Sequence, residues 1–170
     1  MGLFDAVIDR VLGHEGGFTA DPNDRGNWTG GKVGEGSLNG TKWGISAAAF
    51  PELDIENLSR TDAKDIYRKR YWDIVGGVSD AVRFQVLDAA VNHGVHRAIE
   101  LLQKAVSVKA DGAWGPHSIA AASAMDNDDI LLRFNAYRDL FITDIKTFDR
   151  YGRGWMRRTA QNLLYAAEDN

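Results

Sequence analysis

What most limits the folds open to this chain is a gap in its periodicity. Through residues 16–41 no apolar repeat of helical or strand period is present, and eight glycines fall between Gly16 and Gly40, with Asn and Asp among them. Such residues favour turns over regular structure, so the stretch predicts a long loop or a short, irregular β-ribbon. A loop of that length inside a compact domain is generally functional or disordered. Trp28 within it and Trp43 at its border favour function. Each indole has two readings: a platform for a ligand's flat face, or an anchor tying the loop to the core.

Around the gap the chain reads as helix. Residues 3–13 carry Phe4, Val7, Ile8, Val11 and Leu12 on one face, a helical repeat that delivers Glu15 at or just past its C-terminal end. Residues 47–50 make a short turn stopped by Pro51. Ser59 or Thr61 caps a helix running to about residue 74, which Gly76-Gly77 ends. Ser79-Asp80 opens another, with Val82, Val86, Ala89 and Ala90 as core and Asn92-His93-Gly94 as its end. Residues 97–106 are helical again, and Pro116 suits the first position of the next helix. A long helix over 128–151, a break bracketed by Gly152 and Gly154, and a helix over 155–167 complete the chain. The expected fold class is mainly α.

Composition bounds the rest. At 170 residues and 44% apolar content, one domain can bury a core without staples, and no linker marks a second. There is no cysteine, which removes disulfides and thiolate metal sites. No run approaches the roughly 18 apolar residues of a membrane span, and no signal peptide is visible at the N-terminus. A net charge of −4 argues against nucleic acid as a partner. That average hides an asymmetry: residues 133–158 hold seven Arg and Lys against three Asp, a local +4 that leaves −8 elsewhere.

Two carboxylates stand out for chemistry. Glu15 ends the first helical segment, two glycines follow, and Asp24 comes nine residues later. Cleavage of a glycosidic bond needs one carboxylic acid to protonate the leaving oxygen and a second carboxylate to activate water or stabilise positive charge. The competing reading is a glycine-capped helix end with Glu15 solvated and Asp21 and Asp24 serving turns. His93 and His96 have the spacing of a metal pair, but no third ligand is evident, and ordinary hydrogen bonding is the simpler reading.

Taken together, the motifs Glu15-Gly16-Gly17-Phe18, Asp21-Pro22-Asn23-Asp24 and Thr41-Lys42-Trp43-Gly44-Ile45-Ser46 resemble those of glycoside hydrolase family 108. These are phage and bacterial N-acetylmuramidases with a Glu-Gly-Gly-Tyr/Phe start, an acidic turn and a Thr-Asn-Tyr-Gly-Ile-Thr motif. The likeness continues through Ile66-Tyr67, Tyr71-Trp72 and the segment around Asp88, Ala90, Val91 and Asn92. It ends in Leu102-Gln103-Lys104-Ala105 and Asp111-Gly112-Ala113-Trp114-Gly115-Pro116, similar to the family's peptidoglycan-binding-like half.

The resemblance implies a lysozyme-like helical domain with the glycine-rich stretch beside a catalytic cleft, residues 1–93 forming the catalytic half and 94–170 the binding-like half. It implies hydrolysis of the β-1,4 bond between N-acetylmuramic acid and N-acetylglucosamine, with Glu15 as general acid, Asp24 as base and inversion at the sugar. A threonine would hold the water. Thr29 lies five residues after Asp24, but the Trp-Gly-Ile signature attaches to Thr41, and residues 30–40 look inserted, so Thr41 is preferred. Trp28, Trp43, Asn92 and His93 are the expected substrate contacts, and no metal or cofactor is required.

The expected partner is peptidoglycan, with no nucleic acid and no membrane insertion, and the chain is expected to be a monomer. The expected setting is that of an endolysin, held in the host cytoplasm until lysis and then acting on the wall. The basic 133–158 stretch either attracts anionic surfaces or is a solvated face paired with Asp144 and Asp149. The rivals are a lytic transglycosylase and a wall-binding protein without catalysis.

Overall fold

The structure is a computed structural model that describes residues 3–12 and 17–169. It forms two compact units, Met1–Arg68 and Lys69–Asn170. The expected division after residue 93 therefore falls inside the second unit, at the junction of two of its helices.

In the first unit, α1 (Leu3–Leu12) buries Phe4, Val7, Ile8 and Leu12, the face that its repeat predicts. Its polar side is held by charge: Asp9 pairs with Arg60 at 2.8 Å and Lys64 at 3.0 Å. Both partners lie on α2 (Arg60–Tyr67), which starts in a capping box between Ser59 and Asp62. The glycine-rich stretch is the irregular ribbon rather than an open loop. It contains a 3-10 turn (Arg25–Asn27) and isolated bridges pairing Thr19 with Thr41 and Trp28 with Leu38. It leads into a two-stranded antiparallel hairpin of β1 (Thr41–Lys42) and β2 (Ile45–Ser46). After α2 a wide π-type turn (Arg68–Trp72) replaces the last α-helical turn expected there and brings Trp72 under cover.

The second unit is helical throughout its regular structure. α3 (Asp80–His93) is its centre: Ala81, Val82, Phe84, Val86, Leu87, Ala89 and Ala90 are buried, and so are the polar Gln85 and Asp88 between them. α4 (Val95–Ala105), α6 (Asn127–Thr143) and α7 (Phe148–Asp169) pack against it, with Ile99, Leu102, Ile130 and Phe134 filling the core between them. α5 (Pro116–Ser123) begins with Pro116 in its first turn, as expected. The turn before it is gathered by the buried Gln103, whose Oε1 accepts from the Asp111 and Gly112 N–H groups at 2.9 and 2.8 Å. No helix among the described residues is long and apolar enough to cross a membrane.

One expectation fails here. The chain breaks at residues 144–147, and α7 runs straight through Gly152 and Gly154. Thr143, Asp144, Ile145 and Thr147 are weak helix formers, and the Thr143 hydroxyl donates back to the Leu140 carbonyl at 2.7 Å, competing with the ladder. Gly152 marks a close approach instead: a Cβ there would come within 2.6 Å of the Phe148 ring, whereas one at Gly154 would meet nothing within 4 Å. Gly154→Ala should therefore stabilise the fold by about 0.5–1 kcal/mol, the cost of glycine inside a helix. Gly152→Ala should destabilise it by roughly 1–3 kcal/mol, because the ring must leave its place. Thermal melting of the two variants checks the contrast.

Candidate active site

The ribbon has little apolar cover, and a buried amide organises it. Asn27, only 1% exposed, accepts from the Thr41 hydroxyl through Oδ1 at 2.6 Å and donates through Nδ2 to the Asp21 carbonyl at 3.0 Å. Its backbone carbonyl accepts from the N–H groups of both Asn39 and Gly40 at 3.0 Å, and its own N–H donates to the Asp24 carbonyl at 3.1 Å. One residue thus ties together the Asp21 turn and the start of β1 through its side chain, and the Asp24 turn through its backbone.

Asp24 caps the 3-10 turn by accepting from the Gly26 N–H through Oδ1 at 2.8 Å. The residue is exposed, and its second oxygen has no hydrogen-bond partner among the described residues. Asp21 serves its own turn: its Oδ1 accepts from the Asn23 backbone at 2.9 Å and side chain at 3.1 Å. The threonines part company too. Thr29 accepts from the Ser37 N–H at 2.9 Å and closes the 30–36 excursion, while Thr41 joins the Asp24 turn through Asn27. Glu15, the expected acid, and its neighbour His14 lie outside the described residues.

Trp28 anchors the ribbon, donating from Nε1 to the Pro22 carbonyl at 2.9 Å while staying half-buried. Trp43 sits at the hairpin tip with φ 54°, followed by Gly44 with φ 73°. This pattern of two left-handed residues matches the right-handed twist of the strands. Arg60 lies over the indole, 5.8 Å from the ring centroid. A cavity of about 270 Å³ in this unit is lined by Phe18, Leu38, Asn39, Asp54, Ile55 and Glu56. Phe18 rests on Gly40, where a Cβ would come within 2.4 Å of its ring. Hydrogen bonds from the Asn57 side chain and backbone hold the Asp54 carboxyl below its usual pKa. Spacing alone did not single out Asp54 and Glu56.

Asn92 and His93, also expected as substrate contacts, belong to the second unit. They line a separate cavity of about 270 Å³ with Arg138, Trp155 and Arg158. Beneath it lies a buried carboxylate that spacing could not flag. Asp88 accepts from Arg138 Nη2 at 2.5 Å, from Arg158 Nε and Nη2 at 2.9 and 2.6 Å, and from Asn162 Nδ2 at 2.7 Å. Burial alone would raise its pKa, but the Arg138 charge and the Arg158 hydrogen bonds and charge together hold it below 3.8. Arg158, expected on a surface face or beside Asp144 and Asp149, instead grips Asp88.

The family model of glycosyl hydrolase 108 matches residues 8–94. The solved structure of Brucella abortus SagA is similar, at 30% identity and a TM-score of 0.78, covering 99% of this chain and 95% of that one. No curated protein matches the chain. The chain belongs to glycosyl hydrolase family 108. It is a glycoside hydrolase of mainly α, lysozyme-like fold, and its family points to peptidoglycan as the polymer degraded.

His93 yields a pH prediction. Burial first, then repulsion from Arg138, lowers its pKa from 6.5 to about 4, against a smaller upward pull from Asp88. A base with a depressed folded pKa contributes stability that is complete above its unfolded value and lost as pH falls towards its folded value. Stability should therefore fall between pH 6.5 and pH 4. His93→Gln should flatten that part of the profile in denaturant titrations, leaving the loss at lower pH where Asp88 protonates.

Proposed function

We propose that this enzyme hydrolyses the β-1,4 bond between N-acetylmuramic acid and N-acetylglucosamine, with Glu15 as general acid, Asp24 as base and Thr41 holding the water. The observation that carries this reading is the hydrogen-bonded unit Asp24–Asn27–Thr41. Because the Thr41 hydroxyl gives its proton to Asn27, its lone pairs are left to accept from a water. Asp24, exposed and half-committed to its turn, takes the water's other proton as the oxygen attacks the sugar carbon. Its negative charge also opposes the positive charge that develops on the sugar ring. Glu15 enters through its motif: a protonated carboxyl there gives its proton to the departing glycosidic oxygen.

A water-mediated displacement on the face opposite the leaving group inverts the anomeric centre. Trp43 offers its ring to the glycan, whereas the hydrogen bond of Trp28 to Pro22 favours its anchoring role. The proposed setting is that of an endolysin: a monomer kept in the host cytoplasm until lysis and then acting on the wall.

On purified peptidoglycan, Glu15→Gln should lose about 10²–10⁴ of the rate with the melting temperature unchanged. A variant retaining half its activity ends the assignment. Asp24→Asn should cost far more than Asp21→Asn, and Thr41→Ala more than Thr29→Ala. Mass spectrometry should find reducing-end sugars; anhydro sugars would mean a transglycosylase.

A further inference from the structure

The cavity of the first unit has a lining that neither packing nor the three residues assigned to bond cleavage explain. Phe18 is fixed by its close approach to Gly40, which has φ 79°, yet it stays 37% exposed. Leu38, lining the same cavity, is also 37% exposed. Packing alone would bring two such apolar side chains under cover, whereas here they border open space. The side-chain amide of Asn39 makes no hydrogen bond among the described residues. Glu56 is exposed, and its carboxylate has no partner among them either.

Asp54 completes the polar set. It accepts from the Asn57 N–H at 3.2 Å and from Asn57 Nδ2 at 2.9 Å, one bond to each oxygen, which leaves lone pairs on both. Lys42 donates to the Glu56 carbonyl at 2.6 Å, so two carboxylates and one ammonium leave a single negative charge in excess. The cavity is also joined to the ribbon that carries Thr41. The Asn39 N–H donates at 3.0 Å to the carbonyl of Asn27, the residue whose side chain holds the Thr41 hydroxyl. Thr19, next to Phe18 in the chain, pairs with Thr41 itself.

The ligand follows from what these groups leave unmatched. A purely apolar ligand would strand the amide and the carboxylates, and an anion would meet the excess negative charge. A small cation would compete with Lys42 and leave the apolar walls bare. A sugar matches every wall: its C–H groups lie on Phe18 and Leu38, and its hydroxyls donate to the carboxylates. An acetamido group exchanges one donor and one acceptor with the Asn39 amide. The volume, about 270 Å³, has room for one sugar residue. We propose that this cavity is a subsite for one N-acetylglucosamine residue of the glycan. It selects against the neighbouring N-acetylmuramic acid, whose lactyl ether carries a carboxylate or the acid-bearing peptide built on it. The inference rests on the reading above of what the enzyme cleaves, and it assigns Phe18, Asn39 and Glu56 to substrate selection.

The test is an NMR titration of the full chain with the methyl β-glycosides of N-acetylglucosamine and N-acetylmuramic acid, which differ only in the lactyl ether. The first should shift the Asn39 side-chain amide and the backbone amides of residues 54–57 saturably, and the second should bind at least about fivefold more weakly. Phe18→Leu keeps bulk against Gly40 but removes the flat ring, and it should weaken the glucosaminide by about two- to tenfold. Asn39→Ala, which breaks no side-chain hydrogen bond of the fold, should weaken it by about fivefold with melting unchanged. Glu56→Gln should bring the two sugars within about twofold of each other. Shifts absent from Asn39 and residues 54–57, equal binding of the two sugars by the unaltered chain, or full binding by both Phe18→Leu and Asn39→Ala each overturns the proposal. Cleavage of peptide-free glycan strands is measured alongside. Strands cleaved without these shifts reject the subsite alone, and the shifts without cleavage reject the assigned bond alone.

Discussion

The second unit depends on a carboxylate placed where a carboxylate is expensive. Asp88 sits in α3 within a run, residues 84–90, that is buried throughout, and burial works against its charge. Four hydrogen bonds from Arg138 of α6 and from Arg158 and Asn162 of α7 reverse that balance. Such a cluster adds little net stability over a packed apolar core, but it admits one register only. Arg158 and Asn162 are one helical turn apart on α7, so both reach Asp88 only when that face is turned inward. Gln85 extends the lock by donating to the Asn162 carbonyl at 2.7 Å. The rotation of a helix carrying two glycines near its start is thereby fixed by contacts further along it.

In the first unit the corresponding part is neutral, and the chemistry explains the difference. Asn27 must accept from Thr41 and donate to the Asp21 carbonyl at the same time. An aspartate at this position would lose the donor and leave the Asp21 carbonyl unmatched. It would also place a second negative charge three residues from Asp24, disfavouring the ionised form that its proposed role as base needs. A buried amide therefore fixes the ribbon while leaving the carboxylate's charge to its surroundings.

Local signals were legible wherever the physics is local. The face of α1, the caps Ser59 and Ser79, the position of Pro116 and the core residues Val82, Val86, Ala89 and Ala90 of α3 follow from spacing and capping chemistry. The Asp88 cluster was not legible, because its partners lie 50 to 74 residues away and nothing in the local pattern distinguishes Asp88 from a solvated helix residue. Gly152 misled for a related reason. A glycine that breaks a helix and one that lets a ring settle on it look alike until Phe148 is placed. The choice between Thr29 and Thr41 rested on a motif, and the hydrogen bond to Asn27 supplies a physical reason for the same preference.

Trp43 runs against local preference and is informative for that reason. The two-residue hairpin turn requires positive φ, which Asn or Gly adopts readily and a bulky side chain adopts at a cost of about 1–3 kcal/mol. The surroundings hold the strained turn: the Tyr67 hydroxyl donates to the Trp43 carbonyl at 3.2 Å. A Cβ on the next residue, Gly44, would come within 2.6 Å of that same hydroxyl, so the flexible residue is needed at the second position and the indole can occupy only the first. Turn stability alone would choose a smaller residue there. The ring itself is therefore what the position supplies: a flat apolar surface two residues from the Thr41 hydroxyl, on a ribbon otherwise built from glycine and short polar side chains. On the proposed reading, a flat apolar face near a hydroxyl and a carboxylate that Asn27 links suits a sugar ring, which presents C–H groups on its faces and hydroxyls around its edge.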